Sequence, residues 1–264
     1  MSIDIIMQGP VSPGTYEYAK SHAEFQYVNK VIVSTWEGQP ILEPTDKIQI
    51  LYTPDIENPG QNNRNRQIVS TQKGLEHSTA NIIIKSRSDQ HIRSHSLARM
   101  YDYFLENCPI TERFLDNSGP QGAIFVLNLY TRFVFHPEDH LFMGWAPDIR
   151  ALFDLPLDPI YPVNMENPGD NAGVYSDWAH VDTRPNAYIG MYYYARFNER
   201  IAEMVRDYKN YVVDEAPFRE EALQLDRQYR DKIFKAFPKV DIWWQKYNRD
   251  WPYDWTRVFT GYHA

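Results

Sequence analysis

The five residues Lys85-Ser86-Arg87-Ser88-Asp89 place two cations and one carboxylate directly after an apolar run, Asn81-Ile82-Ile83-Ile84. A strand end rarely needs that density of charge for packing. A nucleoside diphosphate does: Lys85 and Arg87 can meet phosphate oxygens, and Asp89 can hold a divalent cation that bridges them. An oxygen-only site of this kind suits Mg2+ or Mn2+. A surface salt-bridge cluster has the same composition, and the stretch alone does not separate the two. Asn62-Asn63-Arg64-Asn65-Arg66-Gln67 repeats the theme just ahead of a predicted helix. Arg forks and a helix N-terminus both accept anions. With Asn63 or Asn65 as N-cap, the same residues form an ordinary solvated cap. His136-Pro137-Glu138-Asp139-His140 sets two histidines at i,i+4. The His-Glu-x-x-His order of zinc proteases is absent and Pro137 disturbs a helix, so no zinc site is expected there.

These groups act together only if the fold converges them. Ile3–Met7, Val31–Trp36, Ile48–Tyr52 and Asn81–Lys85 are short, almost wholly apolar runs, as a parallel sheet covered on both faces requires. Gly9-Pro10, Gly38 with Pro40, and Pro54 stop the first three. Tyr16–Tyr27 and Asn65–His77 predict helices between them. The order strand, helix, strand, strand, helix, strand predicts an open α/β sheet, whose ligands lie beyond the C-terminal strand ends. Four polar ends would then share one edge: Gln8-Gly9-Pro10, Ser34-Thr35-Trp36-Glu37, Tyr52-Thr53-Pro54-Asp55 and Arg87-Ser88-Asp89-Gln90.

Further along, His95–Asn107 predicts a helix. Ala123–Asn128 and Arg132–Phe135 predict two strands compatible with a hairpin. Phe142-Met143-Gly144-Trp145 reads as a turn and Asp148–Phe153 as a short helix. Asp154–Pro185 is a long Pro-rich loop, of the kind that is usually functional or mobile. Ala187–Tyr211 and Pro217–Phe237 predict helices rich in aromatics. Most of these rings are expected to serve burial, with an acceptor groove as the alternative. Residues 1–155 are expected to form a nucleotide-binding α/β core, and 156–264 a loop and helical extension of the same domain.

Composition narrows the function. The chain has 264 residues, a formal net charge of -8 and 15% aromatics. The acidic balance argues against a nucleic-acid or membrane-surface binder, which needs excess positive charge. The single Cys108 excludes a disulfide framework and a cysteine-based zinc site. No apolar run reaches the length of a membrane-spanning helix, and Met1-Ser2-Ile3-Asp4 lacks the basic start of a signal peptide, so a cytoplasmic protein is expected. Gln8–Gly14 has no Gly-x-Gly-x-x-Gly, and no P-loop occurs anywhere.

Gln8-Gly9-Pro10, Val33-Ser34-Thr35-Trp36-Glu37, Asn63-Arg64-Asn65-Arg66-Gln67 with Gly74-Leu75, and Lys85-Ser86-Arg87-Ser88-Asp89 occur in that order. The series resembles the WavE family of lipopolysaccharide-synthesis proteins over roughly the first 150 residues. The resemblance implies a GT-A-like glycosyltransferase that uses a nucleotide-sugar donor and a glycan or lipopolysaccharide-type acceptor, with Mn2+ or Mg2+. It implies donor contacts from Gln8, Gly9, Pro10, Trp36, Arg64, Arg66, Lys85, Arg87 and Asp89. Arg87-Ser88-Asp89 stands where the fold carries Asp-x-Asp, so Asp89 alone would ligate the metal, or Arg87 and Lys85 would replace its charge. It also implies a late general base, Asp139 first and Asp148 second, each equally readable as a cap or loop charge. A metal-binding His263 is implied too, with a frayed terminal residue as the alternative. A sugar nucleotidyltransferase should carry a Lys- or Arg-containing Gly-rich loop after the first strand, and Gln8–Gly14 has neither cation. A carbohydrate-binding protein without catalysis is the third reading.

Overall fold

β-Branched side chains fill the early strands because both faces of those strands are covered. The computed structural model describes residues 1–60, 63–108, 122–127, 129, 135–158, 185–206, 216–244 and 249–254. β1 (Ile3–Gln8) is buried at every position. Its Ile3, Ile5 and Met7 join one apolar cluster and Ile6 joins a second on the other face. β2 (Val28–Trp36), β3 (Ile48–Thr53) and β4 (Ile82–Arg87) run parallel to it, in the order β3-β2-β1-β4. The helices α1 (Thr15–Ala23) and α2 (Arg64–Glu76) are the crossovers. Gly74 lets α2 lie close on β1, since a Cβ there would stand 2.4 Å from Ile6 Cγ2.

β5 (Gln90–Ile92), α3 (Ser94–Asn107), β6 (Ile124–Val126), β7 (Leu141–Trp145) and α4 (Ala146–Phe153) follow. After them come α5 (Pro185–Ala195), α6 (Glu199–Arg206), α7 (Ala216–Ile233), β8 (Phe234–Ala236), β9 (Lys239–Trp244) and β10 (Arg249–Asp254). The main sheet has seven strands, ordered β3-β2-β1-β4-β7-β6-β8. β7 is antiparallel to both of its neighbours, and the remaining pairs are parallel. The fold is the open, mostly parallel α/β sheet with helices that the sequence predicts. A second sheet, β10-β9-β5, is antiparallel. Among the described residues no helix is long and apolar enough to cross a membrane.

Four expectations need correction. Phe142-Met143-Gly144-Trp145 is a buried strand and not a turn. Gly144 is there for packing: a Cβ would meet Ile149 Cδ1 at 3.0 Å. The strand expected over Ala123–Asn128 shortens to Ile124–Val126, and positions 132–134 of its expected partner lie outside the described residues. The helix expected over Ala187–Tyr211 is two helices in its described part, because Asn198 caps a new one, its Oδ1 accepting the Ile201 amide at 3.0 Å. The C-terminal part is not purely helical: Phe234 and Phe237, then Val240 and Ile242, are buried in and around β8 and β9. Burial is nonetheless what many of its rings do, with Tyr188, Tyr193, Tyr194 and Phe234 all in one core cluster. The loop over Asp154–Pro185 lies outside the described residues from 159 to 184.

Candidate active site

Gln8 pairs with Ser34 on one side and Arg87 on the other, and Trp36 pairs with Thr53, so the four parallel strands end at one level. Gly9 turns the chain there at φ +128, a backbone region that L side chains avoid. A Cβ on it would stand 2.8 Å from Ser88 Oγ. That hydroxyl donates to the Pro10 carbonyl at 2.7 Å, and the Ser88 amide donates to the Gln8 carbonyl at 2.9 Å. The Thr15 hydroxyl donates to the Ser88 carbonyl at 2.9 Å. Gly9 and Ser88 thus lock the first strand end to the fourth. Gln8 is buried and accepts from Ser70 at 3.3 Å, while Pro10 is exposed.

β7 brings the next group. Because it runs antiparallel to β4, with Leu141 opposite Ser86, the residues before it reach the tip of β4. Lys85 is fully buried, and its ammonium donates to the Asp139 carbonyl at 2.5 Å. Burial lowers the Lys85 pKa to about 8, although Asp139 opposes the shift. Arg87 forks onto Asp89, with both hydrogen bonds at 2.9 Å. His140 Nδ1 lies 3.2 Å from Glu138 Oε1, and its Nε2 lies 4.0 Å from Asp139 Oδ1. Burial lowers the His140 pKa to about 4, so the ring is neutral at pH 7. Burial opposes the charge on Asp139, but His140, Lys85 and Arg87 hold its carboxyl below the usual range. Formally two cations face three carboxylates, an excess of one negative charge at the end of β4.

On the β2 and β3 side, Arg66 forks onto Asp55 at 2.9 and 2.5 Å and lies 5.3 Å from the Trp36 ring centre. This cluster is half-exposed and faces the same edge. Arg64, two residues earlier, is turned inward. It is fully buried, ion-paired to Asp158 at 2.6 Å, and stacked 4.6 Å from the Tyr188 ring centre. The ion pair ties the start of α2 to the 158 segment.

Asp148 is also elsewhere. β7 carries the chain from Leu141 opposite Ser86 to Trp145 opposite Ile82, about 13 Å of strand toward the far end of the sheet. There Asp148 is buried in the first turn of α4. Burial and the Asp148 charge together push the Tyr193 hydroxyl well above its ordinary pKa. A general-base role for Asp148 at the edge is corrected on this placement. His263 lies outside the described residues.

Two pairings are not legible in the sequence, although Asp55 and Glu138 stand out in it as polar residues of the strand ends and of the run before β7. Asp55 closes the third strand end onto Arg66. Glu138 and His140 join Asp139 in one cluster whose donor atoms all lie within 4.8 Å of one another. The signal in the sequence is the adjacent Glu138-Asp139-His140 run and not the i,i+4 histidine pair. As donors for Mn2+ or Mg2+, two carboxylates and one neutral imidazole fit. Asp89 fits less well as the ligand that Asp-x-Asp would supply, because Arg87 engages both of its oxygens.

Fold and edge together define an open α/β protein whose strand ends gather cations, carboxylates and an aromatic face. The chain belongs to the WavE family, described as lipopolysaccharide synthesis, whose match spans residues 3–183. No curated protein matches it in sequence. Similar solved structures include S. aureus TarS, 13% identical with a TM-score of 0.39, covering 74% of this chain and 34% of that one. S. aureus TarS 1-349 is 10% identical with a TM-score of 0.38, covering 87% of this chain and 72% of that one. The mannosyltransferase PcManGT from Pyrobaculum calidifontis, in complex with GDP-Man and Mn2+, is 12% identical with a TM-score of 0.39, covering 86% and 69%. The chain spans about a third of the length of the first TarS chain.

Proposed function

We propose that the chain is a glycosyltransferase that moves a sugar from a nucleotide-sugar donor to a glycan of lipopolysaccharide type. The observation that carries this reading is the meeting of Lys85, Arg87 and the Glu138-Asp139-His140 run at the C-terminal end of β4. In an open α/β sheet this is the ligand edge. The donor's base and ribose would lie along Gln8, Gly9, Pro10 and Trp36, with Arg66 turned toward the first phosphate. The diphosphate would face Lys85 and Arg87. In the reaction the bond from the anomeric carbon to the phosphate oxygen breaks, and the electron pair leaves with the nucleoside diphosphate. The acceptor hydroxyl oxygen bonds to the same carbon and its proton passes to solvent water.

Charge accumulates on the departing phosphate, so fixed cations there act where stabilisation is most effective. Arg87, held by Asp89, is the part-exposed cation that would meet it, and Lys85, held beneath by the Asp139 carbonyl, would act through its charge. Their charges are already balanced by carboxylates, so they do not by themselves offset a diphosphate. Carboxylates of this edge could hold a divalent cation, which would supply further positive charge and Lewis acidity there. The test is nucleotide release from a panel of UDP-, GDP-, CDP- and CMP-sugars with Mn2+ or Mg2+, with and without lipopolysaccharide acceptors, followed by 31P NMR. Release from one donor class that Arg87→Ala lowers by at least about a hundredfold is expected, on the scale of one lost oxyanion contact. Failure to release from every donor contradicts the reading.

A further inference from the structure

We propose that the divalent cation of this edge is held by Glu138, Asp139 and His140, ahead of β7, and not by the carboxylate at the tip of β4. The inference deepens the proposed function and rests on it for what the cation is for. Both oxygens of Asp89 are occupied by the Arg87 fork at 2.9 Å, so a cation bound there would have to displace a guanidinium or sit against its charge. The run ahead of β7 has the opposite character. Its three consecutive side chains converge to within 4.8 Å. Glu138 is buried, and the Asp139 and His140 side chains are only 14% and 18% exposed. Lys85 grips the Asp139 carbonyl from β4 and fixes the backbone of the run.

A separate observation points into the same place. Gln67, on α2, is 7% exposed, and its amide nitrogen, which faces the Asp139 carboxylate, completes no hydrogen bond of full geometry among the described residues. It lies close enough to Asp139 to favour that carboxylate's ionised form. A buried donor aimed at a carboxylate cluster suits an oxygen held on a cation, either water or phosphate. Charge agrees: a divalent cation converts the excess of one negative charge at this edge into one positive, which a diphosphate requires. Asp139 then serves as a ligand, and the acceptor's proton goes elsewhere.

The test is Mn2+ binding by the full chain, read by the free-ion electron paramagnetic resonance signal, alone and with UDP, GDP or CDP. Electron spin echo modulation of the bound ion reports a directly coordinated imidazole nitrogen. The wild type is expected to bind Mn2+ with nitrogen modulation, and His140→Ala to lose that modulation. Glu138→Gln and His140→Ala are expected to weaken binding more than about tenfold and Asp89→Asn less than about threefold, since loss of a ligand should exceed even outer-shell effects. Circular dichroism checks folding, and should Glu138→Gln not fold, the wild-type modulation and its loss in His140→Ala decide the matter. Three results each overturn the inference: no Mn2+ bound by the wild type, Mn2+ bound without nitrogen modulation, or Asp89→Asn as the variant that loses the ion. Donor turnover is measured separately. Turnover with the ion on Asp89 keeps the glycosyltransferase and removes this site; Mn2+ on the triad with no turnover of any donor does the reverse.

Discussion

Arg64→Met is expected to cost stability and to leave nucleotide affinity nearly unchanged. The Arg64 and Asp158 side chains are each 1% exposed and meet at 2.6 Å. Withdrawing the guanidinium from a buried carboxylate costs about 3–5 kcal/mol. Methionine retains much of the volume, so little cavity term is added. The 158 segment stays docked through bonds that the substitution does not touch: the Asp158 amide donates to Asn65 Oδ1 at 2.7 Å, and Asn65 Nδ2 donates to the Asp158 carbonyl at 2.9 Å. Arg64→Met/Asp158→Leu removes both charges, and replacing a buried pair by apolar groups is often neutral or better, so the double variant should recover at least about 2 kcal/mol. Urea denaturation at pH 7, followed by circular dichroism at constant m, measures all three proteins. A cost below about 1 kcal/mol for Arg64→Met, within the range of an exposed pair, would refute the reasoning. So would a loss of nucleoside-diphosphate affinity at unchanged stability.

Arg66→Ala should behave in the opposite way. Its pair with Asp55 is 30% and 37% exposed, so stability falls by less than about 1 kcal/mol. Nucleoside-diphosphate affinity falls about tenfold or more, the worth of one charge-assisted hydrogen bond, and calorimetry reads both outcomes. Lys85 has a folded pKa of about 8 against an ordinary 10.5. Between those values the unfolded chain binds more protons, so stability should rise with pH from 8 to 10.5. Lys85→Met should lack that rise, and parallel slopes in the two urea series would sink the claim. The His22 ring accepts the Ile92 amide at 3.0 Å, and burial lowers its pKa from 6.5 to about 3. Stability is therefore expected to fall as pH drops from 6.5 toward 3. The His22 ring signals should stay those of a neutral imidazole down to about pH 4 in a folded-state NMR titration, and protonation near 6.5 would show the ring to be solvated.

The parallel half of the fold is legible because burial on both faces leaves almost no choice of residue: β1, β2 and β4 read as apolar runs stopped by a Gly-Pro pair or by charge. β7 is not legible, because Gly144 suggests a turn when read alone. Only the tertiary contact with Ile149 shows that a small residue is required there. Lys85 and Arg87 were identifiable, since cations at the end of an apolar strand must face a ligand edge or a partner. Arg64 and Arg66 were not separable. They stand two apart at the start of α2, where the helix turns one side chain into the core and the other toward solvent, and the partner Asp158 lies 94 residues away. The Glu138-Asp139-His140 convergence depends on an antiparallel strand pairing with β4, a register set by packing and invisible to local pattern.

The end of β4 is proposed to grip the phosphates of a nucleotide. Isothermal titration of UDP, GDP, CDP and CMP into the protein, with and without Mn2+, tests it most directly when repeated on Arg87→Ala. Saturable one-to-one binding of one nucleotide is expected, strengthened by Mn2+ and weakened at least about tenfold in Arg87→Ala, the cost of a lost charged hydrogen bond. Absence of binding by all four nucleotides, or binding that Arg87→Ala leaves unchanged, would contradict it.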